Sequence, residues 1–368
     1  VKTAQLLDAT YELDTPFLVL DADQAERNLR RQALLAAHAG VQWYPHCKSH
    51  KSIEIARLQL EQGAAGLTCQ TLGEAETMLA ADPERIVLPG PIVGPGKLER
   101  LVSLARRVEV TVAVDTAQVA AGMSAALAGA GLQAAVLIEV DTGFRRCGVD
   151  PADVIDLARA VGDMGGLRLE GVFTYEGHIY DRTGPAAEQA AASSYEVLAG
   201  VLADLRAADM PVRRVSVGAS AGMRAAVVHD APTEVRWGSA LFGDMTQVDM
   251  GVMGVEDCAL GIVATVVSVP HGRRFVIDAG SKTLSYTPAV GGAGFGAVLH
   301  GDRPRITRLA DEHAMVDAPP GGLEVGSRVV ILPNAHAACV DAHNHYQVVR
   351  DGALLPHPVL VDARGMTR

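Results

Sequence analysis

Residues 41–52, VQWYPHCKSHKS, carry the densest chemistry of the chain. Val41 and Trp43 give the first half the look of a short strand that stops at Pro45. The turn that follows delivers His46, Cys47, Lys48, Ser49, His50 and Lys51, two lysines and two histidines in six residues. A lysine at the end of a buried strand loses hydration, and its pKa falls towards neutrality. An amine of that kind is the nucleophile of Schiff-base chemistry. A solvated basic turn is the alternative.

The elements that must position such a turn follow from hydrophobic periodicity. From Val41 onward, short apolar runs alternate with helical spacing. Eight strands are counted, the later ones lying near residues 65–71, 85–90, 108–115, 135–143, 169–178, 212–220 and 234–243. Alternating strand and helix implies a parallel sheet. Eight units in about two hundred residues fit a closed (β/α)8 barrel. A doubly wound open sheet is the competing α/β arrangement, but no G-x-G-x-x-G follows the first strand. After about Asp249 the runs are joined by Gly/Pro turns with no strong helix between them, which reads as a second, all-β domain. One of them is a single strand over residues 305–318. The expected layout is residues 1–22, whose TPFLVL strand joins the β-domain, a barrel over 23–249 and a C-terminal β-domain over 250–368.

A barrel of this kind keeps its chemistry at the C-terminal ends of its strands. Those ends carry His46, Cys47, Lys48 and His50; Thr68 and Gln70; Asp115; Asp141, Thr142, Arg145 and Arg146; and Tyr175, Glu176 and His178. The seventh strand ends in GASAG, residues 218–222, where Gly218, Ala219 and Ser220 let backbone N–H groups approach an anion. Each of these residues could instead cap the helix that follows.

Composition narrows the partners. The 368 residues are 49% hydrophobic and 20% charged, which suits a folded protein large enough for two domains. A net charge of −11 with no long basic run argues against nucleic acid. No apolar run is long enough to cross a membrane, and no segment reads as a signal peptide. Five scattered cysteines suggest no disulfide framework and favour a reducing, cytoplasmic setting.

Taken together, these features resemble the alanine racemase-type (fold type III) pyridoxal phosphate enzymes. More narrowly, the chain resembles the D-threonine aldolase / D-serine dehydratase family. The family's Pro-His-x-Lys-x-His-Lys stands at residues 45–51. The likeness continues through TCQTLGEAE (68–76), DTGFRRCGV (141–149), YEGH (175–178), TEVRWGS (233–239), DAGSKTLS (278–285) and DEH (311–313). It implies that Lys48 holds pyridoxal 5'-phosphate as a Schiff base, with His46 and His50 beside it as candidate catalytic groups. It also implies that Arg146 lies near the cofactor's phenolic oxygen and that Gly218, Ala219 and Ser220 meet its phosphate. Gln70, Tyr175 and His178 are further candidates for the cofactor and substrate pocket, and a homodimer is expected.

The family further holds a divalent metal through a His followed two positions later by Cys or Asp. Here His336 has Ala338 at that offset and Cys339 one later, a departure from the pattern. The candidate ligands are His336 with Cys339, or with Asp341 or His343. A thiolate would suit zinc and a carboxylate Mn²⁺ or Mg²⁺. A solvated His-rich loop with no metal is the alternative. The implied activity is a metal-dependent aldolase that cleaves β-hydroxy D-amino acids of the D-threonine type to glycine and an aldehyde. A dehydratase acting on D-serine or D-3-hydroxyaspartate, giving an oxo acid and ammonia, is the close alternative. The His/Cys segment around His336 argues against a plain racemase, and the all-β domain after Asp249 argues against a non-catalytic cofactor-binding barrel.

Overall fold

The computed structural model describes residues 2–292 and 294–368. A helix over Thr3–Ala9 stands where the sequence reads as a polar lead. So short a helix is marginal alone; here Leu6 packs into a cluster with Phe17, Val19, Val263 and Val330. Strand β1, Phe17–Asp21, is buried along its length. Asp21 caps the helix that follows, Ala22–His38, its carboxylate accepting from the Gln24 N–H.

Eight strands then alternate with helices: β2 (Gln42–Trp43), β3 (Leu67–Thr68), β4 (Arg85–Leu88), β5 (Glu109–Val114), β6 (Ala134–Glu139), β7 (Leu167–Phe173), β8 (Arg214–Val217) and β9 (Glu234–Val235). They pair in parallel in the order β2-β9-β8-β7-β6-β5-β4-β3. The two ends of that row meet. A parallel bridge joins His46 to Thr68, and the N–H groups of Ala65 and Thr68 donate to the carbonyls of Trp43 and Pro45. The sheet is a closed (β/α)8 barrel, as the alternation predicts. Apolar runs such as β6 are buried from end to end, because helices cover one face and the packed interior the other.

The two rims of the barrel differ. At the N-terminal rim, Arg214 pairs with Glu234 on the neighbouring β9 and reaches across the barrel to donate to Thr111 Oγ1 on β5. The C-terminal rim carries the site. Register there depends on a bulge between β6 and β7, where Val136 opposes Leu169 and Leu137 opposes Gly171, leaving Glu170 unmatched. Gly171 has φ +152°, and a Cβ on it would stand 1.9 Å from the Arg214 carbonyl oxygen.

The second sheet contains β10 (Leu260–Ser268), β11 (Phe275–Ile277), β12 (Gly296–Val298), β13 (Arg308–Leu309), β14 (Ala314–Val316), β15 (Arg328–Pro333), β16 (His345–Arg350), β17 (Ala353–Leu354) and β18 (Val359–Leu360). β1 lies within it, antiparallel to β10 and parallel to β16. The single strand expected over 305–318 is a hairpin of β13 and β14, closed by the Ala310 N–H donating to His313. Nor is this part all strand. Helices cover Ser281–Leu284 and His336–Val340. The second replaces an expected loop; its alanines carry high helix propensity.

The two sheets are tied together at the lysine turn. Lys51 Nζ lies 2.6 Å from Asp341 Oδ1, the Ala363 N–H donates to the Lys51 carbonyl, and the Tyr346 hydroxyl donates to the His50 carbonyl. The part of the chain farthest in sequence from the turn therefore holds it in place. Gly171→Ala forces a side chain into the β7–β8 contact, so it is expected to lower unfolding free energy by about 1–3 kcal/mol in denaturant titration. An unchanged midpoint would contradict the close packing described.

Candidate active site

A one-turn 3-10 helix over Cys47–Ser49 follows β2 and turns the Lys48 side chain into the barrel mouth. Lys48 lines both the pocket at the strand ends and a cleft of about 520 Å³ between the barrel and the second sheet. Its amine is pushed down to about 8, first by burial and then by the charge of Arg146. Among the described residues Lys48 makes no ion pair, while Lys51 is held by Asp341 at 2.6 Å and Glu74 at 3.4 Å. The motif thus contains one lysine engaged by two carboxylates and one whose amine is desolvated and, among the described residues, outside any ion pair. Lys48 is the nucleophile candidate.

Around it the strand ends converge as expected for a barrel. The Lys48 amine sits 5.7 Å from the Tyr175 ring centroid. The Arg146 guanidinium lies 5.1 Å from the rings of both Phe144 and Tyr175 and 3.9 Å from Glu139. Burial raises the Glu139 carboxyl to about 7, against the pull of Arg146. His46 and Gln70 line the same pocket. Burial, then the Lys48 charge, keeps His46 well below the usual imidazole range, and its Nδ1 has no partner.

Four residues of this pocket or the adjoining cleft carry weight that sequence reasoning did not give them. Tyr180 lines both cavities. Arg236 donates to the Thr174 carbonyl at 2.7 Å, lies 3.9 Å over the Phe173 ring, and is pushed down to about 10 by burial. Its signal was its place in RWGS just beyond the eighth barrel strand. Gly238 lets that segment close on the lysine turn, since a Cβ there would stand 2.5 Å from Ser49 Oγ. Asp244 caps the helix Met245–Asp249 and lies in the cleft wall.

Three expected assignments change. His50 does not reach the cavity: Nε2 faces Gln59 Oε1 at 3.2 Å and Nδ1 accepts from the Ser52 N–H. It braces the turn. His178 packs against Gly143, with Nε2 3.4 Å from Ser194 Oγ, and lines neither cavity. The N–H groups of Gly218 and Ala219 donate to Glu176 Oε2 at 3.3 and 3.0 Å, so this row is not free for an anion. Gly218, Ser220, Gly238 and Ser239 form the small-residue wall of the pocket.

The metal ligands were tested against the same geometry. His336 lines the cleft. Its Nδ1 is 2.7 Å from Asp244 Oδ2, and its Nε2 is buried without a partner. Cys339 is not in the cleft wall; its thiol donates to the Thr283 carbonyl at 3.0 Å, and burial pushes its pKa up, against the thiolate a metal requires. Asp341 pairs with Lys51, and His343 Nε2 faces the Thr283 carbonyl at 3.1 Å. Among the described residues, no three His, Cys, Asp or Glu side chains gather to hold a metal. The residues do not fit the expected divalent centre. Cys339 lies on the helix His336–Val340 with its thiol committed to the Thr283 carbonyl and not to a site shared with the imidazole.

Comparison with known proteins agrees with this geometry. A profile of the alanine racemase N-terminal domain matches residues 20–246, and one of a serine dehydratase domain matches residues 259–349. The chain belongs to the D-threonine aldolase / D-serine dehydratase family of alanine racemase-like enzymes. It is 32% identical to a D-threonine aldolase of Arthrobacter sp., over 99% of this chain and 96% of that one. It is 34% identical to a D-threo-3-hydroxyaspartate dehydratase of Delftia sp. (strain HT23), covering 91% and 93%. A crystal structure of D-threonine aldolase from Filomicrobium marinum superposes with a TM-score of 0.89 at 30% identity, over 96% of each chain. These relatives are lyases, and so is this chain. The family depends on pyridoxal phosphate, and the pocket fits that group: a dry amine, a nearby guanidinium and a wall of small residues.

Because the Lys48 amine lies at about 8 and not near its ordinary 10.5, the neutral nucleophile accumulates at a lower pH than for a free lysine. The rate at which cofactor-stripped protein takes up pyridoxal phosphate covalently is expected to rise with pH through about 8. A rise only near pH 10 would contradict the desolvated site.

Proposed function

We propose that the chain is a pyridoxal phosphate-dependent aldolase that cleaves β-hydroxy D-amino acids of the D-threonine type to glycine and an aldehyde. The observation that carries this is the buried, unpaired Lys48 amine opening onto a cleft whose far wall carries His336. When bound, the cofactor supplies an electron sink for the pair released at Cα. Lys48 would hold it covalently, Arg146 and Tyr175 would flank it, and Ser220, Gly238 and Ser239 would meet its phosphate. Arg236 stands as a second fixed cation at the pocket floor.

The choice between C–C cleavage and loss of water turns on what a β-hydroxyl meets. Among the described residues, three buried polar atoms of residues lining the cleft lack partners: Gln247 Oε1, Asn334 Oδ1 and His336 Nε2. Two are acceptors outright. The third is an acceptor in the neutral ring, because the Asp244 carboxylate beside Nδ1 claims the ring proton there. Of the three, the imidazole nitrogen is the one basic enough to take a proton from a hydroxyl, which starts aldol cleavage, while the amide oxygens can only orient the hydroxyl by accepting a hydrogen bond; departure of hydroxide needs an acid. A homodimer, in which a second copy completes the cleft, belongs to the same reading.

Incubation with D-threonine, followed by separate assays for glycine and ammonia, is expected to give glycine and acetaldehyde without ammonia. Lys48→Ala is expected to abolish it, general acid–base and covalent roles together being worth more than about 10³-fold. Ammonia without glycine would overturn the aldolase assignment in favour of the dehydratase.

A further inference from the structure

The mismatch at residues 333–346 has a consequence for how the β-hydroxyl is handled. Asp244 holds His336 twice: Oδ2 accepts from the His336 backbone N–H at 3.2 Å and lies 2.7 Å from the ring Nδ1. The other oxygen, Oδ1, accepts from the Gln247 N–H at 3.0 Å, so the carboxylate is itself fixed. The Phe242 ring stands edge-on to the imidazole at 5.9 Å between centroids. Backbone, carboxylate and aromatic contacts thus fix the imidazole in the cleft wall, with Nε2 buried and, among the described residues, without a partner. A buried nitrogen without a partner is costly and calls for a ligand group. Meanwhile the groups that could join it around a metal are engaged elsewhere, Cys339 by Thr283 and Asp341 by Lys51.

We propose that this site works without a metal and that His336 Nε2, oriented by Asp244, is itself the base that takes the substrate's β-hydroxyl proton. This rests on the aldolase reading above. In the step, the hydroxyl proton passes to Nε2 and the O–H electron pair becomes the second bond of the aldehyde carbonyl. The Cα–Cβ bond breaks, its pair remaining on the Cα fragment. The Lys48 ammonium, protonated from solvent, would deliver a proton to Cα to complete glycine. The proton on His336 is then lost through the open cleft, and Lys48 is recharged from solvent, so protons balance over the cycle. Nδ1–H···Asp244 is the arrangement a histidine base needs, since the carboxylate stabilises the imidazolium that forms. His336 is here a catalytic residue and Asp244 a positioning residue.

The test uses the full-length protein loaded with pyridoxal phosphate. Metal content is measured by plasma mass spectrometry, Mn²⁺ and Zn²⁺ binding by calorimetry, and D-threonine cleavage with and without EDTA. The expected result is no stoichiometric metal, no tight Mn²⁺ or Zn²⁺ binding and unchanged turnover in EDTA. His336→Ala is expected to lose about 10²–10⁴-fold in kcat, with the cofactor's absorbance intact and turnover partly restored by added imidazole. Asp244→Asn is expected to lower kcat and leave KM nearly unchanged, a split that a purely structural defect would not give. A stoichiometric metal whose removal abolishes turnover would overturn the proposal, as would full activity of His336→Ala. If wild-type protein cleaves no β-hydroxy D-amino acid in either condition, the aldolase reading fails. The calorimetry still decides separately whether a metal binds: tight binding lost in His336→Ala overturns the metal-free site.

Discussion

The Lys48 ammonium is held where both burial and the Arg146 charge oppose it, and the rest of the site is arranged to keep it so. An amine that would hold its proton in water is here ready to lose it. That state survives only if no carboxylate approaches. The nearby acids are accordingly occupied: Glu74 and Asp341 pair with Lys51, and Glu176 accepts the N–H groups of Gly218 and Ala219. Glu139 is raised towards neutrality by its own burial. Lys51 thereby engages the two carboxylates on its side of the turn.

The fold makes this possible by closing the barrel at the strand that carries the lysine. β2 is only two residues long, and its bridge from His46 to Thr68 completes the ring next to Lys48. A strand so short cannot fix a turn by itself. The second sheet supplies the fixing through Asp341, Tyr346 and Ala363. It also brings His336 to the far wall of the cleft. Barrel and second sheet are therefore not a catalytic unit and an accessory but two halves of one site.

Much of this was legible before any coordinates. Alternation of apolar runs with helical spacing gave eight barrel strands, and reading their C-terminal ends gave Lys48, His46, Gln70, Arg146 and Tyr175, because position along a barrel strand is a local property. The misreadings share a cause in long-range contact. His50 looked as reactive as His46, but a turn of 3-10 helix rotates it onto Gln59. The GASAG amides looked free, but Glu176, forty-odd residues earlier on the neighbouring strand end, had claimed two of them. His336 depends on Asp244, 92 residues away in sequence. Cys339 was a ligand candidate through the family resemblance, one position off its pattern; it lies on a short helix with its thiol on the Thr283 carbonyl.

The central claim is that one lysine of the motif, and not its neighbour, is the reactive amine. Borohydride reduction of the cofactor-loaded protein, followed by proteolysis and mass mapping, tests it most directly. A pyridoxyl group on the peptide containing Lys48, at that residue and in one copy per chain, is the predicted result. The same group on Lys51, or spread over exposed lysines such as Lys282, would contradict it.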